Sequence, residues 1–321
     1  MLLSFFNLPP FLQAGLAGFI SALWSIAIPQ IPGIGLLLSP FLLVPLFFVS
    51  FSVGLRIGLQ AGLISTFFVF LLASPLAGCG FFILHFVPFM MISALFHQHK
   101  RERPISKDEG CAEWSYGAGT ILSNMTGGFL FVIVGGLILM NSQNIDWQQN
   151  ILQHLDQIAA QSASLKLMVE KVVGWLPSLL GVSMIASLTA NAYVAQRLLE
   201  KTRNNLRVFQ KEDWQIPLCW DIVVVLGMMM WSLGKFFGMP QTLLIAKTVI
   251  TLGCVPLGFI GLRICYLRLN WQASGRLWFR LLCVLSFLLV WPLIFIVLLG
   301  FIESWYGLTQ RFSKNQRDTH L

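Results

Sequence analysis

Apolar residues run through this chain in long stretches, without the strict alternation of a half-buried strand or the narrow stripe of a soluble amphipathic helix. The hydrocarbon core of a bilayer is about 30 Å thick, so a crossing helix needs about 20 mostly apolar residues. Nine stretches meet or approach that length: 11–29, 37–54, 57–75, 79–96, 116–140, 172–195, 217–234, 242–265 and 279–302. The second and seventh are short and rest on tight connections, so eight to ten spans fit the pattern. The expected fold class is all-α, a polytopic transmembrane helix bundle. It forms one integral membrane domain over 1–321, with a polar tail at 303–321 and neither a low-complexity tract nor a second soluble domain.

Composition agrees. The chain is 56% hydrophobic and 11% charged, where soluble domains carry roughly 25% charged residues. The 21 basic and 13 acidic residues leave a net charge of +8, but the bases sit between apolar runs, where they orient spans; the lipid bilayer is the expected partner and nucleic acid is not. The loop at 97–115 holds Lys100, Arg101, Arg103 and Lys107. Arg197, Lys201, Arg203, Arg207 and Lys211 follow two spans later, and Arg263, Arg268, Arg276 and Arg280 two spans beyond those. All three clusters fall on one side of a nine-span count, which predicts a multi-pass protein of the bacterial inner membrane with a cytoplasmic N-terminus. Arg311, Lys314 and Arg317 then fall outside, the one disagreement with the rule. The apolar N-terminal stretch has no basic region ahead of it, so the first helix is expected to be retained.

The segment 141–171 is polar, but Ile151, Leu155, Ile158 and Leu165 fall near one helical face. It is expected to rest on the outer membrane surface, as a linker or as a lid over a cavity.

Helix association in lipid relies on small residues that let backbones approach. Ala14, Gly18 and Ala22 form one such stripe on the first span, with Ala17, Ser21 and Ser25 beside it. Gly54, Gly58 and Gly62 follow at the second turn, and Gly119, Ser123 and Gly127 in the fifth span. Two adjacent stripes give the first helix a flat face, suited to internal packing or to docking a helix of another membrane protein. The sixth span repeats Ser183, Ser187, Asn191 and Ala195 every four residues. An unpaired amide facing hydrocarbon is costly, so Asn191 is expected to point inward, as are Asn124 in the fifth span and His85 in the fourth. These three and Ser187 are the candidate ligand contacts; interhelical clasps are the competing reading. Asn124 opens an Asn-Met-Thr triplet, but its place within a span removes a glycosylation reading.

A charge at mid-bilayer costs about 2.5–3.5 kcal/mol on insertion scales and marks function. Along the sequence no acid stands in the middle of a span, since Asp221 and Glu303 fall at span ends; this argues against ion-coupled transport. Lys235 and Lys247 near span ends can snorkel. There is no HExxH, GxSxG or Walker motif and no close carboxylate pair on one span, so no enzyme, cofactor or metal is expected. His97, His99 and Cys111 match no tight ligand spacing, and the six cysteines are scattered singly.

Several short motifs resemble the YybS-like family of bacterial polytopic membrane proteins. They are Pro40 and Pro45 ahead of Gly54, Arg56 and Gly58 with Ala61 and Gly62; Glu113, Trp114, Tyr116 and Gly119; Asn191, Ala195, Gln196 and Arg197 followed by Arg207 and Pro217; and Gly300, Glu303 and Trp305 with Arg311 beyond. Thr309 and Gln310 depart from that pattern. The resemblance implies that 1–197 is similar to the six-helix S components of energy-coupling-factor transporters, with three added spans at 217–302. In those proteins an Ala-xxx-Ala face on the first helix docks a shared coupling subunit, and the Ala14, Gly18, Ala22 stripe matches it in kind. Two functions follow as expectations: a vitamin-like uptake or binding subunit with no ATPase of its own, or a non-catalytic scaffold for envelope assembly.

Overall fold

The computed structural model describes residues 8–31, 38–102, 118–143, 151–152, 172–202, 219–269, 275–288 and 290–306. The 144–150 and 153–171 stretches, the side chain of His99, Cys111, most of the basic loops and the tail with Thr309 and Gln310 lie outside them. Among the described residues all regular structure is helical. Six helices are long and apolar enough to cross a membrane: Pro10–Ala27, Leu55–Leu72, Pro75–His97, Gly119–Ser142, Leu176–Lys201 and Pro240–Tyr266. A bent pair, Leu277–Ser286 with Trp291–Tyr306, makes seven if it counts as one. Their outward faces are apolar; Phe11, Leu76, Phe131, Phe236 and Trp291 all stand exposed. Water would not tolerate so continuous an apolar surface, whereas lipid is its natural solvent. This is a membrane-spanning protein.

Among the described residues six or seven helices reach span length, against the nine stretches expected, for physical reasons. The 37–54 stretch folds as Ser39–Val53, roughly 22 Å at 1.5 Å per residue, too short for the core. The 217–234 stretch becomes Cys219–Phe236, whose uncharged run between Asp221 and Lys235 also falls short. The 279–302 stretch is two helices bent by 109°. Pro292 stands in the first turn of the second, where its missing N–H denies Leu288 a helical bond.

The helices group into two compact units, with divisions inside the fifth and sixth expected spans and at Asp213/Trp214, between 197 and 217. The first comprises the described parts of Met1–Ile121 and Ser183–Asp213. Here α1 (Pro10–Ala27) packs against α3 (Leu55–Leu72): Ala14, Ala17, Gly18, Ser21 and Ala22 are buried on α1, with Gly18 against Ala61 and Ile64, while Gly58 and Gly62 of α3 lie against Ser50 and Phe86. A Cβ on Gly18 would lie 2.5 Å from the Ala61 carbonyl oxygen. The short α2 (Val44–Val53) follows a 3-10 turn at Ser39–Phe41 and is almost wholly buried. Gly54, at φ 137°, makes the reversal into α3 that a side chain would resist. Next, α4 (Pro75–Phe81) runs through a π-turn at Phe82–Phe86 into α5 (Val87–Glu102). Pro88 cannot donate to Leu84, which accounts for the widened turn just before it. Phe47 meets Phe89 edge-on at 4.9 Å, and His97 Nε2 donates to the Ser50 carbonyl at 2.9 Å, tying α5 to α2.

The second unit comprises the described parts of Leu122–Val182 and Trp214–Leu321. It takes all but the first turn of α6 (Ala118–Ser142), the start of α7 (Leu176–Thr202), α8 (Cys219–Phe236), α9 (Pro240–Leu269), α10 (Gly275–Leu288) and α11 (Val290–Tyr306). Trp220, Val224, Leu257, Ile260 and Ile264 form its core. Gly238, at φ 65°, closes the turn between α8 and α9. The two then pack antiparallel, Gly234 facing Leu243, Gly227 facing Ile250 and Gly253 facing Val224. Gly261 lies against the Ile296 backbone and Gly300 against that of Leu257, so α9 and α11 touch backbone to backbone. Lys235 over Trp231 and Lys247 over Trp175, each 5.2 Å from the ring centroid, mark one end of this unit.

Candidate functional site

Spacing of four along α7 puts Ser187 and Asn191 on one face, and the geometry brings these two together. Asn191 is wholly buried. The 3-10 turn before α2 leaves backbone groups without helical partners, and Leu43, at the cap position, has no side-chain acceptor to offer. Asn191 supplies one from a helix about 150 positions away. Its Oδ1 accepts the Leu43 N–H at 3.0 Å, and its Nδ2 donates to the Pro40 carbonyl and to the Ser187 carbonyl at 2.7 Å. Ser187 Oγ adds a bond to Pro40 O at 2.8 Å. A primary amide has two donors and one two-lone-pair acceptor. Both donors and one lone pair of Asn191 are used inside the protein, which makes it an interhelical clasp.

Asn191 lies six residues, roughly 9 Å, from Arg197, whose ion pair with Glu200 marks the polar end of α7. Irregular backbone beside apolar spans is tolerated where protein encloses it or where it lines a cavity.

The other candidates lie apart from this cluster. Ser183 is exposed, so the expected polar stripe stops at Ser187. His85 is half-buried in the π-turn with its ring 5.3 Å from that of Phe81. Asn124 is exposed, which corrects the expectation that it points inward; its neighbours Ser123 and Thr126 occupy the buried face. It stands about 7.5 Å along α6 from the start of the apolar span, where polar lipid groups and water come within reach. Ala14, Gly18 and Ala22 are enclosed by the chain itself, in keeping with the internal-packing side of their two readings: Gly18 lies against Ala61 and Ile64 of α3. No group of His, Cys, Asp or Glu able to hold a metal occurs among the described residues.

Two features escape the sequence reading. Trp220 Nε1 donates to Ser123 Oγ, pinning α8 to α6 through a fully buried bond. Asp221 and Glu303 do stand at the ends of their own helices, yet the helix register carries them to the level of mid-α9. With Val224 beside Gly253, Asp221 falls one turn further on, beside Pro256; with Gly300 beside Leu257, Glu303 falls near Cys254. Only the pairing of helices reveals these neighbours, which position along the sequence does not show.

No protein-family model, no curated protein and no solved structure matches this chain.

Proposed function

We propose that this protein is a small-molecule uptake or binding subunit of the bacterial inner membrane. It has no ATPase of its own, keeps its N-terminus in the cytoplasm and is akin to the YybS-like family. One observation carries the reading: α2 is a buried helix too short to cross, and its broken start is held by Asn191 and Ser187 of α7. Short or interrupted helices of this kind build the solute sites of membrane carriers, because they bring free backbone groups to the bilayer centre. On this reading Ser187, with an acceptor lone pair still open, contacts the solute and Asn191 positions it, with half-buried His85 a separate candidate contact in the same unit.

A second reading, a non-catalytic scaffold, is favoured by one specific fact: Asn191 already satisfies both donors and its acceptor within the chain. A partner helix would then meet the exposed apolar face of α1 around Leu12, Phe19 and Leu23, since the small-residue face is covered. Thermal unfolding of detergent-purified protein against a panel of vitamin-like solutes separates the two. Ligand at 100 times its dissociation constant adds roughly 2.7 kcal/mol. A shift with one chemical class, lost in Ser187→Val, supports uptake. No shift across the panel, with envelope proteins co-purifying instead of an ATPase, supports the scaffold.

A further inference from the structure

We propose that Cys265 and Cys283 form a paired-thiol site that an organic hydroperoxide closes to a disulfide, fastening α10 to α9; the reading stands independently of the uptake proposal. Along the sequence the six cysteines are scattered singly, but the packing of the second unit brings these two together. A spacing of four puts Phe279 and Cys283 on one face of α10. That face meets α9, because the Phe279 ring stands edge-on to the Tyr266 ring with centroids 5.2 Å apart, and Tyr266 directly follows Cys265. The thiols are near enough for the charge of one to act on the other.

Both cysteines are free and half-buried. A cysteine that only fills space behaves as a small hydrophobe and has no need of a second thiol beside it. Cys254 shows that plainer role: it lies eleven residues back along α9, roughly 16 Å away, against the core of Trp220, Val224 and Leu257. Around Cys283 the exposed side chains are apolar, Leu281, Val284 and Leu285, so an oxidant arrives through lipid, and an apolar peroxide fits that approach. One thiolate attacks the peroxide, the O–O bond breaks, an alcohol leaves and the cysteine becomes a sulfenic acid. The second thiol then displaces the hydroxyl, which departs as water, and the S–S bond forms. Two thiols and one hydroperoxide thus give one disulfide, one alcohol and one water, the two electrons passing from the sulfurs to the peroxide oxygens.

The test uses the full chain in detergent micelles, treated with cumene hydroperoxide, alkylated and then digested with trypsin after denaturation. Arg268, Arg276 and Arg280 lie between the two cysteines, so the disulfide joins two separate peptides and is identified by mass. The expected result is a Cys265–Cys283 link within one chain, reversed by dithiothreitol, while Cys254 is alkylated as before. A rise in melting temperature of several degrees should accompany the link and be absent from Cys283→Ser. Either cysteine linked to a different cysteine, or to a second copy of the chain, overturns the proposal. So does full alkylation of both after treatment, or an equal rise in melting temperature in wild type and Cys283→Ser. If Cys283→Ser fails to fold, the peptide mapping on wild type decides alone.

Discussion

The clasp at Asn191 and the small-residue contacts make sharp demands on single positions. Asn191→Leu removes the acceptor for Leu43 N–H and the donors to Pro40 and Ser187, leaving buried backbone groups unsatisfied at about 1–3 kcal/mol each. We expect a clear fall in thermal stability in detergent, larger than for Ser187→Ala, which removes one bond. Glycines give a paired test on one helix. Gly18→Ala drives a methyl against the Ala61 carbonyl and should cost about 1–3 kcal/mol, whereas at Gly15 nothing lies within 4 Å and Ala should be neutral or gain up to about 1 kcal/mol of helix propensity. Equal melting temperatures for the two variants would contradict the α1–α3 contact. At this scale the sequence was informative about kind and silent about partners. That Asn191 turns inward follows from the cost of a bare amide in lipid; that it meets Pro40 and Leu43 does not, because nothing local ties positions some 150 apart. Asn124 misled because the same argument ignores how near a span end lies to water.

At the scale of elements, prolines and glycines decide where the helices differ from uniform spans. Pro88 marks the π-turn, Pro292 the bend before α11, and Pro256 interrupts the bonding of α9 without ending it. Each proline is plain in the sequence, but whether it widens, breaks or is absorbed depends on packing that the sequence does not display. The α9–α11 contact is the most demanding of these. Ala at Gly261 or Gly300 would intrude on the opposing backbone, which cannot yield as a side chain can. We expect either substitution to destabilise the second unit by at least about 3 kcal/mol, while Ala at Gly135 or Gly136, with open space around both, leaves it intact. Limited proteolysis of the purified variants, mapped to fragments, would report which unit loosens.

For the whole molecule, the long apolar runs were legible from the sequence because lipid imposes one requirement everywhere: every backbone group bonded and every outward side chain apolar. The number of crossings was less legible, since length alone cannot tell a span from a helix sunk in the interior, as α2 is, or from two that meet at an angle. The proposed orientation predicts that a reporter active only outside the cytoplasm works when fused near position 154 and fails near position 203. The reverse pattern would invert the molecule.

The 109° bend between α10 and α11 reaches beyond the protein itself. Because α11 runs alongside α9, α10 must lie across that direction, with Leu277, Trp278, Leu281 and Val284 exposed along it. A helix lying flat takes up area in one leaflet only and so favours a membrane curved toward that side. In a mixture of large vesicles and small, strongly curved ones, the protein is expected to concentrate in the small, and a variant with Asp in place of Trp278 and Leu281 to lose that preference.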